Sequence, residues 1–302
     1  MNRWYDNAGV RAGVRRIFHD ETDQGKVFFP ARLVPYLSHE AVRVLPEERR
    51  RELTVRHLYQ FLLSTTHLET RVVNRGAELI AGDRSGVTLP PATRLDAYKV
   101  YCDEGYHALY SLDLATQIGE VTGIPVPRWN YGGFVTRLTE SAAAALPAEP
   151  VLAALLPVVV FETLITAVLN EVPPDDTVVT AVRETMRDHA HDEGHHHRFF
   201  TRFFHELWRQ LDRDLRVAVA AALPRLIRGC LLWDVEPVRM SLELAGVAAA
   251  TEVVQDCYGG SAGDERIRDI ARATLRMCAS AGVLDVPGAR AAFVAAGLLE
   301  DV

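Results

Sequence analysis

The chain contains few cysteines for its length, and they are far apart. Among its 302 residues there are four, and no two of them form a Cys-x-x-Cys pair: Cys102, Cys230, Cys257 and Cys278. This spacing excludes a dense disulfide framework and the common thiolate zinc sites. The sequence also starts without the charged and then apolar stretches of a secretory signal, so we expect a cytoplasmic protein.

Long hydrophobic runs and basic stripes are absent as well. No run of 18 apolar residues occurs, and the most apolar segment, 151–169, contains Pro157 and Glu162. It therefore predicts a buried core helix and not a membrane span. The 33 basic residues are spread along a chain whose formal net charge is −7. We expect neither a nucleic acid nor a membrane as partner.

Strand-type alternation and internal repeats are also lacking, and helical periodicity dominates from about residue 47 onward. Proline and glycine boundaries predict four long helices, at about 47–81, 92–122, 149–171 and 175–211. Shorter peripheral helices are predicted at about 213–231, 236–257, 262–281 and 287–299. Residues 1 to about 45 are predicted to be an irregular segment that covers the bundle, with a short helix near 38–44. The whole chain, 1–302, is predicted to form a single domain.

Two Glu-x-x-His motifs are the most informative feature. Glu104-Gly-Tyr-His107 lies in the second long helix and Glu193-Gly-His-His196 in the fourth. On a helix this spacing places the carboxylate and the imidazole on one face. Dinuclear metal bundles use two such helices and one further Glu from each of two others. The motifs therefore predict an all-α, ferritin-like four-helix bundle with additional C-terminal helices.

The first and third long helices each offer two candidates for the single Glu. In the third, Glu162 has apolar neighbours one and two turns away, whereas Glu171 stands beside a Pro-Pro pair where it can stay hydrated. In the first, Glu69 follows two small threonines that could leave an open volume beside a metal, and Glu78 is the alternative. We predict Glu162 and Glu69 as ligands.

The fourth long helix carries a third imidazole on the same face. His189, Glu193 and His196 follow one another at i, i+4 and i+7 within an apolar stripe. Ligand-type residues on a buried face need compensation, which a metal provides. Helix geometry places His191 and His195 on the outer surface. For this segment alone, a solvated histidine-rich patch remains an alternative.

The predicted ligand set combines four carboxylates with three imidazoles: Glu69, Glu104, His107, Glu162, His189, Glu193 and His196. Hard oxygen ligands with imidazole and no thiolate favour iron or manganese over structural zinc. No catalytic residue is predicted beyond these ligands.

The order and spacing of this set resemble the AurF/CmlI family of di-iron arylamine N-oxygenases over roughly residues 60–200. The third imidazole, His189, is characteristic of that family. The resemblance implies two Fe ions that change between Fe2+ and Fe3+, with O2 as co-substrate. It also implies that His107 binds one iron while His189 and His196 bind the other, with the motif glutamates bridging.

The same resemblance implies a reaction. An amine, in particular an arylamine, would be oxidised to a hydroxylamine, nitroso or nitro product in secondary-metabolite (antibiotic) biosynthesis, with electrons from a ferredoxin or a flavoprotein. One alternative is C–H hydroxylation or desaturation of a small metabolite, since a fold does not dictate the bond attacked. Another is a ferritin-like iron-storage or radical-generating subunit, which would give a role to the tyrosines near the first motif: Tyr98, Tyr101, Tyr106 and Tyr110. We further expect a homodimer, formed through the apolar stretches 217–223 and 242–250.

Overall fold

The structure is a computed structural model that describes residues 3–19, 23–231, 234–259 and 264–300. Within these ranges no β-strand is present, and bridge pairing is confined to an isolated contact between Val27 and Val178. The predicted fold class is confirmed: the chain is an all-α, ferritin-like helical bundle.

The α-helices of the described residues vary in length, and short helices surround four long segments. In chain order they are α1 (Trp4–Asn7), α2 (Gly9–Ala12), α3 (Glu40–Arg43), α4 (Glu47–Leu68), α5 (Asn74–Ala81), α6 (Pro91–Thr122), α7 (Gly133–Ala145), α8 (Pro150–Leu169), α9 (Thr180–Gln210), α10 (Arg213–Leu231), α11 (Val235–Leu244), α12 (Ala250–Tyr258), α13 (Asp264–Ala281) and α14 (Ala289–Ala295). A π-helical turn, Glu69–Val73, joins α4 to α5.

Four segments form the bundle that the sequence predicts. The continuous α4–α5 segment packs on α6, α8 packs on α9, and contacts of α6 with α9 and of α5 with α8 close the arrangement. Pro91 occupies the first turn of α6, where its missing N–H is harmless, and Gly123 ends the helix with a φ of 69°. At 32 residues, α6 is about 48 Å long.

The fourth long helix begins later than predicted. Residues 175–179 form a turn and an extended segment, in which Val179 donates its N–H to the carbonyl of Val27. The helix starts at Thr180, whose N–H is accepted by Asp23 Oδ2 at 3.0 Å. The prediction of a start at Asp175 or Asp176 was wrong because the capping carboxylate comes from a distant part of the chain.

The C-terminal helices differ from the prediction in two places: the helix predicted at 287–299 is shorter, Ala289–Ala295, and the one predicted at 236–257 is divided. Residues 236–257 do not form a single helix, because α11 ends at Leu244 and α12 begins at Ala250. Gly246, with a φ of 87°, lies in the break and takes the left-handed conformation that glycine favours. The predicted helix at 262–281 is described from Asp264 onward, and its first residues lie outside the described part of the chain.

The most apolar helix, α8, lies in the core. It is long and apolar enough by composition to cross a membrane, yet 72% of its most apolar window is buried by the protein itself. The stretches predicted to form a dimer also complete the core, since Leu223, Leu242 and Ala250 are buried. Of the large apolar side chains in these stretches, Val217 and Leu244 remain exposed. A homodimer stays a prediction, without support from these stretches.

Candidate metal centre

The two Glu-x-x-His motifs face each other inside the bundle. Helix α6 contributes Glu104 and His107, and α9 contributes Glu193 and His196; all four are 0% exposed. The imidazole rings of His107 and His196 lie 5.7 Å apart between their centroids. The i, i+3 spacing has therefore brought the carboxylates and imidazoles of both motifs to one place.

The three remaining predicted residues join this cluster. Glu69 extends from the π-helical turn, Glu162 from α8, and His189 from α9 one turn before Glu193; Glu69 and Glu162 are 0% exposed and His189 is 3% exposed. A π-helical turn inserts one residue into a helix and often marks a functional position. Here it lies where Glu69 turns into the bundle.

The seven side chains form two groups that share Glu193. Within each group the potential ligand atoms lie within 4.8 Å of one another. We call them group A (Glu69, His107, His189 and Glu193) and group B (Glu104, Glu162, Glu193 and His196).

The division of the histidines differs from the one that the family resemblance implies. His189 belongs with His107, since their ring centroids are 4.2 Å apart and His189 Nε2 lies 3.0 Å from Glu69 Oε1. His196 Nδ1 instead lies 2.7 Å from Glu104 Oε1. His189 and His196 are two turns of α9 apart, about 10 Å along the axis, and Glu193 Oε1 lies 3.3 Å from His189 Nε2 and 3.3 Å from His196 Nδ1. The expectation that both serve one metal stays a prediction.

The residues that the sequence analysis set aside lie elsewhere. Glu171 forms an ion pair with Arg32, and Glu78 pairs with Arg84 near the surface. His191 and His195 contact each other on the outer side of α9, with ring centroids 5.5 Å apart. None of these belongs to group A or group B.

Two aspartates that the sequence analysis missed contact two of the histidines on the side away from the cluster. His196 Nε2 lies 3.1 Å from Asp103 Oδ2, and His107 Nε2 lies 3.4 Å from Asp192 Oδ2. Each aspartate thus contacts the histidine of the opposite helix. Such hydrogen bonds fix the tautomer and the ring orientation, so that Nδ1 of each ring faces the cluster. The signal was present in the sequence, because an Asp directly precedes each Glu-x-x-His motif.

The N-terminal segment covers these two aspartates. Trp4 Nε1 donates to both carboxylate oxygens of Asp103, each at 2.8 Å, and the Gly9 N–H donates to Asp192 Oδ2 at 3.1 Å. A Cβ atom at position 9 would lie 2.7 Å from that Asp192 oxygen. A glycine is therefore required for the backbone to approach so closely.

The donor atoms that face the cluster are buried and lie within ion-pair distance of one another, but they have no hydrogen-bond partner outside the cluster among the described residues. They are both oxygens of Glu69, Glu104, Glu162 and Glu193, Nδ1 of His107 and His196, and Nε2 of His189. Leaving a buried polar group unpaired costs about 1–3 kcal/mol, and more for a charged group. Oxygen and imidazole donors collected in this way fit hard or borderline metal cations.

Proton affinities in the cluster are strongly shifted. Burial raises the pKa of Glu69 to about 7 despite the opposing charge of His189. Burial alone would lower the pKa of His107, but hydrogen bonds to Asp192 and Glu104 raise it well above its usual value. Without a cation, protons thus compensate the carboxylate charge. A divalent metal ion supplies the same compensation and displaces those protons.

One tyrosine contacts the cluster. The ring of Tyr110 lies 5.4 Å from that of His107 and 5.7 Å from that of His189, centroid to centroid. Its buried hydroxyl has no hydrogen-bond partner among the described residues, and burial followed by the charge of Glu69 raises the pKa of this phenol. Tyr98 and Tyr101 are exposed and contribute nothing to the cluster.

Fold and cluster together are compatible with the ferritin-like class of proteins that hold two metal ions between carboxylates and imidazoles. The profile of the family described as P-aminobenzoate N-oxygenase AurF matches residues 17–282, which is most of the chain. The chain therefore belongs to the AurF family, a family of oxygenases. No curated protein matches it significantly.

Proposed function

We propose that the chain is a non-haem di-iron N-oxygenase that uses O2 to oxidise an amine, with an arylamine such as p-aminobenzoate as the preferred class of substrate. The observation that carries this proposal is the set of buried donor atoms, without hydrogen-bond partners outside the cluster, in two groups that share Glu193. Membership in the AurF family supports the reaction type.

Each group would hold one iron. Group A offers two imidazoles and two carboxylates, and group B offers one imidazole and three carboxylates, with Glu193 able to serve both. When bound, the two irons would supply the redox chemistry that activates O2. The absence of thiolates from both groups favours iron over structural zinc.

The chain's own residues have three tasks in this proposal. The four glutamates and three histidines bind the metals, and their nearly complete burial excludes bulk water from the centre. Asp103 and Asp192 hold two of the imidazoles at a fixed orientation before any metal arrives. A dry and preorganised site strengthens electrostatic interactions with the metals and protects reactive species from side reactions.

The test is a metal count followed by product analysis. The protein is expressed in iron-supplemented medium, its metals per chain are measured, and the reduced protein is mixed with O2 and p-aminobenzoate. We expect two irons per chain and a hydroxylamine, nitroso or nitro product by mass spectrometry. Two irons without N-oxidation of arylamines would favour hydroxylation or desaturation of another metabolite. A chain that binds no iron would refute the proposal.

The position of Tyr110 supports a second candidate, a radical-generating subunit. Its phenol ring contacts His107 and His189, so a one-electron oxidant formed at the centre would meet it first. After addition of O2 to the reduced protein, this candidate requires an organic radical signal in electron paramagnetic resonance that Tyr110→Phe removes. A light-scattering measurement on the same sample tests the proposed homodimer.

A further inference from the structure

The Asp103–His196 and Asp192–His107 pairs have the same arrangement inside the bundle. They differ in the group that donates a hydrogen bond to each aspartate near the surface. Asp192 is satisfied by a backbone N–H, that of Gly9. Asp103 is satisfied by the indole N–H of Trp4, a half-buried side chain whose ring reaches the protein surface. A backbone amide would suffice as hydrogen-bond donor to Asp103. The indole therefore adds an aromatic ring that the hydrogen bond alone does not require.

The hydrogen bonds of Trp4 form a continuous path to the candidate metal centre. Trp4 Nε1 lies 2.8 Å from Asp103, Asp103 Oδ2 lies 3.1 Å from His196 Nε2, and His196 Nδ1 faces the ligand atoms of group B. The path has an aromatic ring at its outer end and an imidazole at its inner end. Two hydrogen-bonded steps thus connect Trp4 with a member of group B.

The surface around Trp4 is basic, although the chain as a whole is acidic. A groove of about 530 Å³ between the N-terminal segment, α6 and α9 is lined by exposed arginines: Arg3, Arg198 and Arg202. No described carboxylate forms an ion pair with Arg3 or Arg202, whereas the two acidic residues of the groove are already engaged. Asp96 binds Lys99, and Glu206 binds Arg209. A smaller depression joins Arg3 and Trp4 directly to Asp103.

We propose that this surface, which we call the relay face (Arg3, Trp4, Arg198 and Arg202), docks a small acidic iron–sulfur protein that passes electrons inward through Trp4, Asp103 and His196. The inference rests on the proposed di-iron function. Two donor molecules each lose one electron, and two Fe3+ ions become Fe2+; no atom is transferred along the path. Complementary charge steers such encounters, and redox interfaces are typically small and transient.

The experiment uses the iron-loaded protein and reduced plant-type [2Fe–2S] ferredoxin, which is acidic. Anaerobic stopped-flow absorbance measures the rate of ferredoxin oxidation, and calorimetry at low salt measures ferredoxin binding to both the iron-free and the iron-loaded chain. The variants are the double charge reversal Arg3→Glu/Arg202→Glu and the single change Trp4→Phe. The matched controls are Arg290→Glu, on an exposed part of α14, and Tyr5→Phe, beside Trp4 but without a contact to Asp103.

Three results are expected. The charge reversal weakens ferredoxin binding and lowers the rate about tenfold at low ionic strength, with the difference shrinking at high salt. Trp4→Phe slows the transfer at saturating ferredoxin, where a change in binding no longer limits the rate. Both controls behave like the unchanged protein, and excess dithionite reduces the same amount of iron in every variant.

The outcomes separate this inference from the proposed function. Two results would refute the relay face while the di-iron proposal stands, provided that the iron is present and dithionite reduces it. In the first, ferredoxin does not reduce the iron. In the second, the rate of ferredoxin oxidation is the same in every variant. If the chain binds no iron, the di-iron proposal fails, and the electron path fails with it. A Trp4→Phe protein that loses iron would show that Trp4 serves to position Asp103, which would overturn the path.

Discussion

Removal of His189 should separate the two metal sites. His189 is a member of group A and lies outside group B, so His189→Ala leaves all four potential ligands of group B in place. Structural metal sites with four ligands bind with roughly 10–16 kcal/mol, so one ligand contributes about 3 kcal/mol, or about 150-fold in affinity. We expect His189→Ala to retain one tightly bound iron per chain where the unchanged protein has two.

Calorimetric titration of iron into the metal-free protein measures the number of tightly bound irons and their affinity. A thermal melt of the iron-loaded protein measures the stabilisation by metal. At saturating iron the variant should lose about 3 kcal/mol of metal-induced stabilisation, which corresponds to a melting temperature lower by about 5 °C. The matched control is His195→Ala on the outer side of α9, where the ring contacts His191 and Arg198. The reasoning would be refuted if His189→Ala still bound two irons tightly, or if His195→Ala lost as much iron as His189→Ala.

Three further predictions use the same protein. Replacing either histidine-holding aspartate, by Asp103→Asn or Asp192→Asn, should lower iron affinity about 10–100-fold without changing the helical circular dichroism, and an unaltered affinity would contradict the orienting role. Glu162→Ala should weaken iron binding at group B about 150-fold, like the loss of one ligand from group A. Glu171→Ala removes a surface ion pair and should cost no more than about 1 kcal/mol of stability, as urea melts can check. Burial lowers the pKa of His57 to about 3, so the folded protein keeps this residue neutral while the unfolded chain protonates it below about 6.5. Its contribution to stability is therefore complete above pH 6.5 and should fall by about 1.4 kcal/mol per pH unit down to about pH 3; a His57→Phe variant with the same acid sensitivity would argue against this account.

The sequence predicted the features that depend on local periodicity. The four long helices and the two Glu-x-x-His faces follow from 3.6-residue spacing and from proline and glycine boundaries, so they could be located without knowledge of tertiary contacts. The choice of Glu69 over Glu78 and of Glu162 over Glu171 also rested on neighbours within one or two turns. The structure places both chosen residues in the cluster and both alternatives outside it.

The features that were missed depend on contacts between distant parts of the chain. Asp23 caps α9 from 157 residues away, and Trp4 contacts Asp103 from 99 residues away. No local pattern shows such contacts. The grouping of His189 with His107, and of His196 with Glu104, likewise depends on how the helices cross, which the spacing along one helix does not give.

The contacts of Asp103 with His196 and of Asp192 with His107 have a consequence for metal uptake. Because Asp103 and Asp192 belong to the chain, His196 and His107 are already aimed at the centre when the helices have packed, and no ion is needed to orient them. In the proposed di-iron protein, a metal-free chain would therefore present these two imidazoles in their binding orientation, and metal uptake would require no reorientation of either ring.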